Sequence, residues 1–92
     1  MPGGFHQSEV SEESKGYLNA NVAAINHKLG VHHDKYEIKE QWSQVVAGTN
    51  YFYHVHHGDD KYSVLIHVPL PHTGEPAILS YAKPGYHEPS HE

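Results

Sequence analysis

Hydrophobic and polar positions change period once along this chain. Leu18, Val22, Ile25 and Leu29 recur at i, i+4, i+7 and i+11, the spacing of one apolar stripe on a helix. Val10 and Tyr17 extend the stripe roughly. Ser8 is placed to cap its start, with Glu9, Glu12 and Glu13 near the positive end of the helix dipole. Gly30 is a natural stop. Gly16 and the asparagines each weaken the helix by up to ~1 kcal/mol, so packing must supply the rest.

Beyond a linker at 31–35 the period becomes two. Tyr36 and Ile38 alternate with Glu37 and Lys39, and the run continues through Trp42 to Val46. Tyr51, Tyr53 and Val55 alternate with Phe52, His54 and His56. HGDDK at 57–61 reads as a turn. Val64, Ile66 and Val68 alternate with Ser63, Leu65 and His67. Pro69, Pro71 and Gly74 then break the chain, and Ala77 to Tyr81 reads as a last short strand. The expected fold is α+β, with one helix packed across a curved antiparallel sheet of about four to five strands, one sheet face apolar and the other polar. The 92 residues suit a single domain, 1–92, with a flexible arm at 1–7 and a loose tail at 83–92.

One segment resists this pattern. In Gln44-Val45-Val46-Ala47-Gly48-Thr49-Asn50-Tyr51-Phe52, apolar residues stand where two strands need a polar turn. As part of an ordinary buried strand they would be core. The wider context gives them another meaning. Pro2-Gly3-Gly4 forms a glycine-bearing start, Gln44 to Gly48 is a hairpin motif, and Leu70-Pro71-His72 is a second loop. These three segments, in this order around one helix and a strand meander, resemble the cystatins and within them the stefins (type-1 cystatins). The resemblance covers most of the chain and weakens in the helix and after Tyr81.

The resemblance implies a reversible, competitive inhibitor of papain-like, cathepsin-type cysteine proteases. Stefins insert a trunk and two hairpin loops as a wedge into the enzyme's active-site cleft. Carried over position by position, the protease-binding residues are Gly3 and Gly4 in the trunk, Gln44, Val45, Val46, Ala47 and Gly48 in the first loop, and Leu70, Pro71 and His72 in the second. Apolar residues at a hairpin tip then make sense, because their burial takes place in the partner, at about 25 cal/mol per Å². The resemblance also implies a monomer when active and the capacity to exchange hairpins into a dimer. Two departures stand out. The tail passes through Pro84, Gly85 and Pro89 to His-Glu, which puts enzyme contacts near the C-terminus in doubt. Little precedes Gly3 to fill the farther unprimed pockets.

Composition narrows the classes further. There is no cysteine, which removes disulfides, thiolate metal sites and a cysteine nucleophile, and suits a reducing compartment. A start of MPGGFHQSEV lacks the basic and apolar regions of a signal peptide, and no apolar run is long enough for a membrane span, so the expected location is the cytosol. A net charge of -5 disfavours nucleic acid. No catalytic motif is visible, so no enzyme activity and no cofactor are expected.

Histidine is the anomaly, with eleven copies. Adding eleven protons to a charge of -5 gives +6, so the surface changes sign near the ordinary imidazole range around ~6.5. His54, His56 and His67 are weak metal candidates, expected together on the sheet face away from the helix. The rival to inhibition is therefore a histidine-rich module for metal or proton sensing on the same fold. A scaffold that has lost inhibition is a third reading, opposed by the intact QVVAG.

Overall fold

The computed structural model describes residues 4–91, so Gly3 lies outside the described residues. Among them are five strands and two helices: β1 (His6–Gln7), α1 (Glu12–Ala20), α2 (Val22–Leu29), β2 (Glu37–Val46), β3 (Gly48–His57), β4 (Asp60–Val68) and β5 (Ile78–Pro84). The strands form one antiparallel sheet in sequence order. The α+β expectation holds, with the helical segment laid across one face.

The apolar stripe on the helix does what its spacing requires. Leu18 and Ile25 are buried against Tyr53, Val55, Val64 and Ile66, and Val22 and Leu29 flank them. Two local expectations change. The cap is Ser11, not Ser8: the Ser11 hydroxyl accepts from the Ser14 amide and the Ser14 hydroxyl accepts from the Ser11 amide, a reciprocal box. Ser8 is instead tied to β2, where its amide donates to Gln41 O and its hydroxyl accepts from the Gln41 amide. The helix is also broken at Asn21, whose side chain donates to Tyr17 O, the self-bonding habit that makes asparagine a poor helix interior residue.

The second face of the sheet is not a plain polar surface. Phe5, Phe52 and Leu65 are buried there, with Trp42 and Tyr81 packed around them. A bulge explains Trp42. Ile38 pairs with Val55, but Glu40 pairs with His54, so one extra residue at Lys39 shifts the alternation. Trp42 and Gln44 are thereby turned away from the helix, onto the face of Phe52 and Asn50. Trp42 packs on Phe52 and His54, consistent with a packing role below the loop.

The arm and the tail cover this second face. The flexible arm at 1–7 is corrected for its described part, since Phe5 is wholly buried and His6–Gln7 pairs with Trp42 and Ser43. The loose tail at 83–92 is likewise corrected for its described part. Tyr86 stacks on His54 with centroids 4.3 Å apart, the His87 amide donates to Ser63 Oγ, Tyr81 donates to Ser90 O, Pro89 is buried, and His91 reaches Gln44. The sheet is therefore a filling between a helix on one side and terminal segments on the other.

Candidate functional site

The first loop is an extension of its strands. Pairing runs out to Val46 opposite Gly48 and leaves Ala47 by itself at the tip. A turn this tight needs an unusual backbone, and Gly48 supplies it at φ 107°. Val45 is 88% exposed and Val46 38%. Both are apolar side chains with no core to enter, held out rigidly by ladder hydrogen bonds.

The second loop leaves β4 at Val68 and folds into a short 3-10 turn at Pro71–Thr73, closed by the Thr73 amide to Leu70 O. Leu70 is 39% exposed, while Pro71 and His72 are exposed on the same turn. Thr49 pairs with Val68, so the two loops rise side by side from adjacent strands. Between them lies a shallow groove lined by Val45, Val46, Gly48, Leu70 and Pro71, with Tyr17 and Tyr51 at its helix-side wall.

The trunk reaches the same edge. Gly4 takes φ 78°, and a side chain there would point at the Gln44 amide, 3.6 Å away. Phe5, next in sequence, anchors the trunk by burying its ring against Phe52. Gly4, Val45, Val46, Ala47, Gly48, Leu70, Pro71 and His72 thus converge on one end of the molecule.

Gln44 stands apart from this group. Its side chain is buried, at 8% exposure, beneath the loop. Its carbonyl accepts from the Asn50 amide at 3.0 Å, and its amide donates to His91 Nε2 at 2.9 Å. Its geometry is that of a brace for the hairpin.

Other residues at the site carry no obvious sequence signal. Tyr17 and Tyr51 look like core aromatics in the pattern, yet they border the groove, with ring centroids 5.5 Å apart. Burial first, then the neighbouring Tyr17 phenol and the Glu13 carboxylate, raise the Tyr51 phenol above its ordinary range. It therefore remains a neutral hydrogen-bonding group at physiological pH. Asn50 sits inside the recognised stretch and had no assigned role; it is buried and links Gln44 to His67.

The metal candidates separate. His54 donates to His87 O and lies under Tyr86, His56 turns to Gly58 O in the next hairpin, and His67 bonds Asn50. Among the described residues no three His, Asp or Glu side chains are grouped to hold a metal ion. Among the described residues, no helix is long and apolar enough to cross a membrane.

Residues 3–83 match the family model described as a Cystatin domain. The chain is similar to Cystatin-A1 of Sus scrofa, at 32% identity over 82 residues, covering 87% of this chain and 80% of that protein. It is also similar to Cystatin-B of Pan troglodytes, at 54% identity over 39 residues, covering 41% of this chain and 40% of that one.

Proposed function

The chain belongs to the cystatin family, in its stefin branch, and from that membership we propose a reversible, competitive inhibitor of papain-like, cathepsin-type cysteine proteases. The family's activity is cysteine protease inhibition, and its members are not enzymes. The wedge consists of the trunk at Gly3 and Gly4, the first loop at Val45, Val46, Ala47 and Gly48, and the second loop at Leu70, Pro71 and His72. Gln44 acts from beneath as the brace. The mechanism requires no covalent step: the wedge fills the cleft and keeps substrate out.

The observation that supports this reading best is Val45, an apolar side chain 88% exposed at the tip of a paired hairpin beside Leu70. Such a group contributes nothing to the monomer's core. Its transfer into an apolar slot is favourable, and the stiffness of the hairpin limits the entropy lost on docking. Small side chains at Val45, Val46 and Ala47 suit a narrow cleft. The setting that goes with this reading is the cytosol, and the inhibitory form is a monomer.

The test is a titration of papain activity with the protein at neutral pH, beside the Val45→Asp variant. Stoichiometric, competitive and reversible inhibition is expected. Val45→Asp should raise the inhibition constant by at least roughly tenfold with Tm unchanged, because an exposed tip contributes to binding and not to folding. Full papain activity at a large excess of the protein would overturn the proposal.

A further inference from the structure

The bases of the three wedge segments are joined by a line of polar side chains. His91, in the tail, lies against the Phe5 ring with centroids 5.7 Å apart and accepts from the Gln44 amide at 2.9 Å. Gln44 accepts from the Asn50 amide at 3.0 Å. Asn50 accepts from His67 Nδ1 at 2.8 Å. His67 belongs to β4, the strand that leads into the second loop. One line of hydrogen bonds thus runs from the trunk anchor, under the first loop, to the strand that carries the second.

The line has a polarity. Each carboxamide offers a donor at one end and an acceptor at the other. With His67 donating through Nδ1, both amides point the same way and His91 must accept, so its Nε2 carries no proton. If His91 Nε2 is protonated, Gln44 and Asn50 must both turn over, and His67 Nδ1 must then accept. Either direction leaves every link intact. A form in which both facing nitrogens carry protons does not: two donors meet somewhere along the line and one link opens.

We infer that His91, Asn50 and His67 are positioning residues of the inhibitory wedge, forming with Gln44 a relay that stays closed with one proton between its two ends and opens when acid protonates both imidazoles. This rests on the inhibitor reading above. Acidification would therefore loosen the first loop from the trunk and weaken inhibition.

His67 is flanked by Asn50 on β3 and Ile78 on β5. Beside His91, Tyr81 donates to Ser90 O and Lys83 lies over the Tyr81 ring. Burial raises the Tyr81 phenol, and a lysine ammonium stays charged in this range, so neither changes charge with the imidazoles. Among the described residues no carboxylate forms an ion pair with either histidine.

Two measurements decide the matter. The first is the ratio of papain inhibition constants between about pH 5.5 and about pH 7.5 for the wild type, His67→Gln and His91→Gln. Glutamine keeps a hydrogen-bonding end but cannot titrate. The wild type should weaken on acidification by about tenfold more than either variant, each compared with its own neutral value, because the enzyme's own pH response is shared. The second is an NMR pH titration of the free protein, which does not involve a protease. The Gln44 and Asn50 side-chain amide signals should move together on acidification in the wild type, and stay still or move separately in the variants. Identical pH ratios for all three proteins, or amides insensitive to pH in the wild type, would overturn the relay. Coupled amides in a protein that does not inhibit at neutral pH would leave the relay standing and remove the inhibitor reading instead.

Discussion

The backbones of Gly48 and Val68 touch: a Cβ placed on Gly48 would lie 2.2 Å from the Val68 carbonyl oxygen and 3.1 Å from Pro69 Cα. The opposing atoms are main chain, so no rotamer change relieves the contact. Gly48 also holds φ 107°, which L side chains avoid. Gly48→Ala should therefore move the two loops apart. We expect a loss of about 1–3 kcal/mol in stability and at least a tenfold rise in the inhibition constant for papain. Thermal unfolding and inhibition assays on the same preparation would check both. An unchanged inhibition constant would sink the two-loop wedge.

Phe5 is the rivet of the N-terminal segment. Its ring is wholly buried against Phe52 and beside His91. Phe5→Ala removes a large buried ring and should destabilise by about 3–5 kcal/mol. It should also free the trunk at Gly4, so inhibition should fall at temperatures where the domain remains folded. Denaturant unfolding gives the first quantity; wild-type stability in the variant would contradict the anchoring role.

Gly16 has open space around the position of a Cβ and no positive φ. It is an exposed position inside α1 and does not line the groove between the loops. Gly16→Ala should stabilise the protein by about 0.5–1 kcal/mol, through helix propensity and a less flexible unfolded chain, with inhibition unchanged. A lower Tm in calorimetry would mean that the helix requires glycine for a reason other than space.

Alkali should unfold the protein through its buried phenols. Burial first, and then Tyr62, push Tyr36 up from 10.0 to about 12. The Tyr36 hydroxyl donates to Asn26 Oδ1, which the phenolate cannot do. A raised folded-state value favours the protonated form in the native state. The contribution is thus complete below pH 10 and declines as pH rises toward about 12. Tm should fall across that window, and tyrosinate absorbance should show part of the tyrosines ionising only with unfolding. A flat Tm through the window would refute this.

Hairpin exchange would act at the first loop, where Ala47 alone is left outside the pairing of β2 with β3. If β2 and β3 open about Ala47 into one continuous strand, the dimer consumes the tip at Val45 to Gly48. Such a dimer, isolated by gel filtration, should not inhibit papain, while the monomer should. An inhibitory dimer would show that the first loop survives outside the closed hairpin.

Local rules carried much of the fold. The Leu18, Val22, Ile25, Leu29 spacing put the helix on the right face, because a stripe at that period has nowhere to go but a core. The strands of the meander followed from alternation, and the HGDDK turn appears as a two-residue connection between His57 and Asp60. The residues proposed for the wedge stood out because they break a local rule: Val45 and Val46 are apolar where a turn is polar. What local rules missed was the cap at Ser11, set by its reciprocal hydrogen bonds with Ser14, and the break at Asn21, whose side chain bonds Tyr17 O; several serines and asparagines nearby offer the same chemistry.

Sequence by itself determined the layers, the family and the exposed apolar tip, since period, turn chemistry and an unbroken motif are all local properties. Tertiary structure decided what covers the second face and what lies under the loop. The bulge at Lys39 reverses which side Trp42 and Gln44 occupy, and no residue pattern along one strand records an offset that exists only relative to its neighbour. The same holds for the tail, whose prolines and histidines look like a solvated end until Phe52, His54 and Gln44 are assembled to receive them. His91 meets Gln44 across 47 positions of chain, and a contact of that range is a property of the closed fold.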